Sequence, residues 1–111
     1  MATYGGFPTA VSATQTQSTT GTTTFYTCPA GQYAKINVDI LTIFTSGTNL
    51  DAGFQVNGVN VKRITLTSAG VDRSTLTSVA VGPGQTVGVT VSLTGPTVGS
   101  CVVTITGYSL G

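Results

Sequence analysis

The sequence predicts an all-β fold, an antiparallel β-sandwich of jelly-roll type with an extended N-terminal arm. Apolar and polar residues alternate with a period of two, Val and Thr dominate the alternating segments, and Gly- or Pro-containing turn signals recur between them. No segment shows a convincing helical period, and Glu is absent. Roughly seven or eight short strands with such turns imply two packed sheets that bury the alternating faces.

Residues 1–21 differ in composition from the rest of the chain. They are rich in Thr, Ser, Gln, Ala and Gly, with scattered apolar side chains at Tyr4, Phe7 and Val11. We interpret them as an extended arm that packs on another surface, for example a neighbouring subunit; a frayed terminus is the alternative. Residues 11–17 fit a short first strand. The predicted organisation is an arm over 1–21 and a β-sandwich domain over 22–111.

The first strands of the sandwich domain flank a Pro-Ala-Gly turn. Thr22–Cys28 is rich in β-branched and aromatic residues, and Pro29–Gly31 supplies the turn, because Pro restricts φ and Gly permits positive φ. A long strand follows, whose inward face is formed by Ile36, Val38, Ile40, Thr42 and Phe44. Leu41 and Ile43 make its other face apolar too, so either the strand is buried on both sides or a bulge switches its phase. Residues 45–52 are predicted to form a polar loop.

Asn57-Gly58 is the sharpest local signal in the chain. A two-residue type I′ turn there pairs Val56 with Val59 and Phe54 with Val61, which places all four apolar residues on one face. Ile64 and Leu66 lie in the opposite phase, which predicts a bend near Lys62-Arg63.

Three further strands complete the predicted sandwich. The first covers residues 76–81 and ends at the turn Gly82-Pro83-Gly84. The second covers 85–93 and ends at Gly95-Pro96. The third covers 100–110. Inward positions are Val79 and Val81 on the first, Val87, Val89, Val91 and Leu93 on the second, and Cys101, Val103 and Ile105 on the third.

The composition argues against nucleic-acid binding and against a membrane protein. Charged residues make up 6% of the chain and the net charge is +1, too little to hold a phosphate backbone. The N-terminal sequence has neither a basic n-region nor an apolar h-region, so no signal peptide and no membrane span are predicted. A net charge near zero favours association between protein chains.

The sequence offers little catalytic chemistry. It contains no His and no Glu, and its only acids are Asp39, Asp51 and Asp72. Asp39 alternates outward from a strand, while Asp51 and Asp72 are placed in polar loops, where Asp commonly serves turns. General acid–base catalysis needs a group with a pKa near the working pH, and a hydroxyl nucleophile needs a base. We therefore predict no catalytic residue, no metal site and no cofactor.

Cys28 and Cys101 are the only cysteines. Their spacing matches no zinc motif. One interpretation makes them two small buried hydrophobic residues. The alternative is a single disulfide that ties an early strand to the last one.

Candidate interface residues lie in the arm and among the basic residues. A large apolar side chain on a tail usually needs a pocket, so Tyr4 and Phe7 rank first. Lys62, Arg63 and Arg73 rank second, the alternative being that they only solvate loops. Among the other tyrosines, Tyr26 and Tyr108 are expected to be half-buried on strands and Tyr33 to be exposed after a turn.

Three segments together resemble small β-structured virion proteins of tailed bacteriophages, of the capsid decoration or cement type. The run 25–36, with its Pro-Ala-Gly between two strands, resembles their opening; the run 81–87 resembles a later Gly-x-Gly hairpin; and the run 103–110 resembles a terminal Gly-Tyr strand. The likeness covers roughly residues 24–110 and does not include the arm.

This resemblance implies a structural role on the virion, after assembly in the cytoplasm of a bacterial host. The expected protein is a homotrimer that binds the major capsid protein and stabilises the shell, with no nucleic-acid or membrane partner and no catalytic residues. A receptor- or carbohydrate-binding module of a tail or head fibre, or of a surface adhesin, is the alternative.

Overall fold

The computed structural model describes residues 8–111, which form eight β-strands and no helix. The strands are β1 (Thr9–Gln17), β2 (Gly21–Thr27), β3 (Tyr33–Ser46), β4 (Asn49–Val56), β5 (Val59–Leu66), β6 (Gly70–Val81), β7 (Thr86–Thr94) and β8 (Val98–Leu110). Consequently, no helix in this part of the chain could cross a membrane.

The strands form two four-stranded antiparallel sheets. The first sheet has the order β1-β8-β3-β6 and the second has the order β2-β7-β4-β5. Apart from the β4–β5 hairpin, every connection carries the chain from one sheet to the other, as in an eight-stranded jelly roll. The predicted fold class, an antiparallel sandwich of jelly-roll type, is confirmed.

The core lies between the sheets and follows the predicted alternation. The largest completely buried side chains include Ile36, Ile40, Leu50, Phe54 and Ile105. The predicted inward positions of β3 and the valines 87, 89 and 91 of β7 are all buried. Leu41 and Ile43 are half-buried on the outer side of β3, and β3 keeps its phase between them.

The N-terminal boundary differs from the prediction. Residues 9–17 form β1, which pairs with β8 from Thr9–Ser109 to Gln17–Cys101, and Val11 is buried. The sandwich therefore begins at β1 rather than at residue 22. The buried Gln17 side chain secures the passage to the second sheet, since its Nε2 donates to Thr19 O (2.9 Å) and its Oε1 accepts from Thr23 Oγ1 (2.6 Å). Residues 1–7, including the arm residues Tyr4 and Phe7, lie outside the described residues.

The predicted hairpin at Asn57-Gly58 is confirmed, but its register was wrong beyond the turn. Both turn residues have positive φ (53° and 79°), as a type I′ turn requires, and Val56 pairs with Val59. A bulge then makes Phe54 pair with Lys62, so Val61 is the extra residue and is exposed. Because of the bulge, Ile64 points into the core although Val61 does not. This is the change of phase that the sequence predicts near Lys62-Arg63.

Two predicted loops are strands instead. The polar loop over 45–52 shrinks to a two-residue connection, because β3 continues to Ser46 and β4 starts at Asn49. Asp51 therefore lies on β4, and Asp72 lies on β6, which begins at Gly70. Thr97 makes so short a connection possible, since its Oγ1 accepts the backbone N–H groups of Thr48 (2.9 Å) and Asn49 (3.2 Å).

Candidate interaction surface

One end of the first sheet carries an exposed aromatic cluster on its outer face. We call it the tyrosine patch; it is a shallow depression of about 340 Å³ lined by Pro8, Tyr33, Lys35, Tyr108 and Leu110. Tyr33 is 68% exposed, Tyr108 63% and Leu110 47%. Large apolar side chains that cluster in the open mark an interaction site more often than single exposed ones do.

Cross-strand register brings the tyrosine patch together. Tyr33 pairs with Leu110 and Lys35 pairs with Tyr108 on the adjacent strands β3 and β8. The two tyrosines are therefore diagonal neighbours on one face, roughly 7–8 Å apart at the backbone. Ala10 of β1 pairs with Tyr108 from the other side, so Pro8 reaches the same surface through the alternation of β1.

Gly107 allows β8 to lie close against β3 beside Tyr108. A Cβ atom at this position would overlap the carbonyl oxygen of Lys35 and press on the backbone of Ile36. No side chain can move to relieve such an overlap, because the obstructing atoms belong to the main chain. The glycine thus helps to set the geometry of the patch.

A second depression adjoins the tyrosine patch on the same face. We call it the threonine groove; it encloses about 350 Å³ and is lined by Asn37, Val38, Asp39, Thr75, Leu76, Thr77, Thr104 and Thr106. It forms where β6 bulges: Ile36 pairs with Val79 but Val38 pairs with Leu76. Ser78 sits in the bulge with a φ of 54°, and its N–H donates to Asn37 Oδ1 (3.2 Å).

Charge on this outer face is largely neutralised within the sheet. Arg73 of β6 donates two hydrogen bonds to Asp39 of β3, from Nε to Oδ1 (3.2 Å) and from Nη2 to Oδ2 (2.8 Å). The guanidinium holds the pKa of the Asp39 carboxyl below its usual value. Lys35 forms no salt bridge with any residue between 8 and 111.

The three aspartates have separate partners. Asp39 binds Arg73, whereas Asp51 accepts from Thr65 Oγ1 (2.5 Å) and from Asn49 Nδ2 (3.0 Å). These donors, with Thr65 foremost, lower the pKa of Asp51. Asp72 accepts from Ser74 Oγ (3.1 Å). Within residues 8–111, no three His, Cys, Asp or Glu side chains come together as metal ligands would.

The predicted basic interface residues are not brought together. Lys62 and Arg63 are exposed on β5, an edge strand of the second sheet, whereas Arg73 lies on β6, an edge strand of the first. Arg73 is on a strand rather than in a loop, and its charge is paired with Asp39.

Both cysteines are buried free thiols. Cys28 Sγ donates to the carbonyl of Gln32 (3.3 Å), while Cys101 pairs with Thr42 and its Sγ accepts from Thr42 Oγ1 (3.8 Å). Residues 32 and 42 are separated by ten positions of extended chain, roughly 30 Å at the rise of a strand. A disulfide needs Cα atoms within about 7 Å, so the alternative of a bridge within one chain is wrong. Burial raises the pKa of Cys101, which further lowers its reactivity.

The tyrosines divide differently from the prediction. Tyr33 is exposed as expected, and Tyr26 is half-buried against the core, where burial raises its pKa. Tyr108, predicted to be half-buried, is one of the most exposed large side chains. The alternation of Cys101, Val103 and Ile105 already contained this signal, because even-numbered residues of β8 point outward.

This chain resembles known proteins in structure but not in sequence. No protein-family profile matches the chain, and no curated protein matches it. Among solved structures, the fold is similar to one described as "Bacillus endospore appendages form a novel family of disulfide-linked pili", with a TM-score of 0.57, 16% identity, and coverage of 97% of this chain and 96% of that one.

A weaker likeness is to a structure of the infectious bursal disease virus Gx strain. Its TM-score is 0.40 and its identity is 12%, and the match covers 96% of this chain but 40% of that one. At these identities the likeness to the Bacillus appendage protein concerns the fold, and the viral match adds no further argument.

Proposed function

We propose that this chain is a structural subunit of a protein assembly and that it acts by binding other protein chains, not by catalysis. The observation that carries this proposal is the tyrosine patch, which exposes two aromatic rings and a leucine on a face with little net charge. Aromatic residues are enriched and charged residues are depleted at the centres of protein interfaces. Short connections and two packed four-stranded sheets supply a rigid support for such a surface.

Our specific proposal is a trimeric decoration protein of a tailed bacteriophage that binds the major capsid protein and stabilises the shell on the virion. It is supported by the resemblance of residues 24–110 to such proteins, by the charge-poor composition, and by the open patch at one end of the sandwich. A cyclic trimer uses a heterologous contact that closes on itself, and the patch can serve as one side of such a contact.

The mass of the purified chain in solution, measured by light scattering after size exclusion, tests this proposal. We expect three times the chain mass of 11.2 kDa. Co-sedimentation with undecorated phage capsids should follow, and Tyr33→Ser with Tyr108→Ser should weaken it. A monomer that fails to sediment with capsids of any tailed phage tested would contradict the proposal.

A second candidate is a subunit of a pilus-like filament. It is favoured by the similarity to the Bacillus endospore appendage structure, which extends over nearly the full length of both chains. Electron microscopy of the concentrated protein separates the candidates, because filaments and discrete trimers differ in appearance. Since both thiols are buried, we expect any filament of this chain to survive reducing agent; disassembly by dithiothreitol would show that these cysteines link subunits.

The carbohydrate-binding alternative draws on the same surface. Exposed tyrosines stack on sugar rings, and the threonine groove beside them offers hydroxyl and amide groups. A glycan array with the full chain tests whether it binds carbohydrate. Saturable binding that Tyr108→Ser abolishes, combined with a monomeric mass, would favour the binding module over the assembly subunit.

A further inference from the structure

The tyrosine patch lies at the place where the N-terminal segment joins the sandwich. Pro8 forms one of its walls, and residues 1–7 precede Pro8 directly. That segment contains two aromatic side chains, Tyr4 and Phe7, and no charged side chain. Seven residues span at most about 25 Å, enough to reach a neighbouring molecule in contact with this end of the sandwich.

From these observations we infer that the tyrosine patch is the docking site for residues 1–7 of a second copy of this chain. The inference rests on the proposed function, since it names the partner of the patch. The contact is heterologous: the segment of one copy meets the patch of the next. Repetition of such a contact closes a ring or extends a filament, so it serves either kind of assembly.

The direction of β1 favours a second copy over the same copy. β1 runs antiparallel to β8, and Thr9 pairs with Ser109, one residue before β8 ends at Leu110. The first residues of β1 therefore lie at the end of the first sheet, where a neighbouring copy can approach. In the alternation of β1, Pro8 faces the patch.

The chemistry of the patch matches the segment. Tyr33, Tyr108 and Leu110 offer apolar surface for the rings of Tyr4 and Phe7. Lys35 forms no salt bridge among residues 8–111 and lies beside Tyr108. Its ammonium group can therefore approach the face of an incoming aromatic ring. An acidic segment would be the expected partner only if this surface were a larger basic patch. Gly5-Gly6 between the two aromatic residues allows both to turn toward one surface.

A complementation experiment tests the inference directly. One full-length variant carries Tyr33→Ser and Tyr108→Ser, so its patch is altered and its segment is intact. The other carries Tyr4→Ser and Phe7→Ser, so its segment is altered and its patch is intact. Each variant alone should be a monomer at concentrations where the unchanged chain assembles. Mixed in equal amounts, they should form a dimer that contains one copy of each, because one productive contact remains.

The control removes apolar surface from the same face at the opposite end. Val71 (65% exposed) and Val98 (56% exposed) lie there, and the variant Val71→Ser with Val98→Ser should assemble like the unchanged chain. Circular dichroism and thermal melting of all three variants check that each keeps the fold, which we expect.

Each other outcome overturns the inference in a recognisable way. If the patch variant stays assembled, the segment docks elsewhere. If the segment variant stays assembled while the patch variant dissociates, patches pair with each other. A mixture that remains monomeric also contradicts segment-to-patch docking. If the unchanged chain is a monomer that still sediments with capsids, the inference fails while the proposed structural function stands.

Discussion

The outer faces of the two sheets differ in what they present to solvent, although both are rich in Thr. At one end of the first sheet the outward positions of β3 and β8 hold Tyr33, Tyr108 and Leu110. The outward positions of β2, β7 and β4 in the second sheet hold Thr22, Thr90 and Gly53, among others, and Thr22 Oγ1 donates to Thr90 Oγ1 (2.9 Å). The first face therefore exposes an aromatic and apolar cluster at this end, while at these positions the second face has threonine hydroxyls that bond each other.

The glycines in the two sheets have different surroundings. Substitution of the one in the first sheet should have the largest effect on the free energy of unfolding. Gly107→Ala would place a methyl group against main-chain atoms of Lys35 and Ile36, whereas Gly53→Ala would meet the ends of the Asn60 and Thr90 side chains at 3.0 Å. Because side chains can shift and a paired strand cannot, we expect Gly107→Ala to lower the free energy of unfolding by about 2–3 kcal/mol. Gly53→Ala should cost less than about 1 kcal/mol.

Urea denaturation of the two glycine variants measures this difference. Equal losses would mean that β8 can move away from β3 as easily as the Asn60 side chain can rotate. In that case the backbone beneath the tyrosine patch would be no more rigid than the surroundings of Gly53 in the second sheet.

The hairpin tip of the second sheet provides an intermediate effect. Gly58 has a φ of 79° and nothing lies within 4 Å of an added Cβ, so Gly58→Ala adds only backbone strain. We expect a loss of about 1 kcal/mol with no change in the mass of the assembly. Thermal melting gives the first quantity and light scattering the second. A change in oligomeric state would place an interface on the second sheet and contradict the proposed difference between the two faces.

Acid and salt should reveal the smallest difference between the faces. Interactions in the folded state lower the pKa of both Asp39 and Asp51, so both carboxylates stabilise the fold above their unfolded value of about 3.9. That stability is lost as the pH falls through the lower folded values. The pKa of Asp39 is lowered by hydrogen bonds from the Arg73 guanidinium and also by its charge, whereas that of Asp51 is lowered first by the Thr65 hydroxyl and last by the charge of Arg63. Salt should therefore weaken the first effect more than the second.

Melting temperatures between pH 2 and 7, at low and high salt, test this prediction. Asp39→Asn should remove the more salt-sensitive part of the acid transition, and Asp51→Asn the less salt-sensitive part. A transition with the same salt dependence in both variants would contradict the assignment of partners.

Residues that depend on local signals were predicted well. The turn at Asn57-Gly58, the inward series of β3 and the valines of β7 need only a few neighbouring residues to be recognised. The failures have two causes, pairing between distant strands and polar strands whose sequence resembles a loop. Val61 was placed in the core because the bulge opposite Phe54 depends on how β4 and β5 pair. Asp51 and Asp72 were placed in loops because their strands have polar outward positions.

The candidate site could be predicted only in part, because the pairing of β3 with β8 brings its residues together. Tyr33 is expected to be exposed and Tyr108 is not, although the alternation of β8 places Tyr108 outward. No local feature links these two residues, which are 75 positions apart. Their proximity comes from the pairing of Lys35 with Tyr108 across β3 and β8. Tyr4 and Phe7 remain predictions, because they lie outside residues 8–111.

The alternation of apolar residues, the turn signals and the scarcity of charge were enough to determine a double antiparallel sheet with few ionisable groups. These properties follow from the conformational preferences of short segments, and a strand keeps its inward and outward faces whatever lies beside it. The tertiary structure decided which outward residues become neighbours, where the bulges fall and how far apart the two cysteines lie. Those features depend on strand order and register, which are set by the packing of the whole core and not by any one segment.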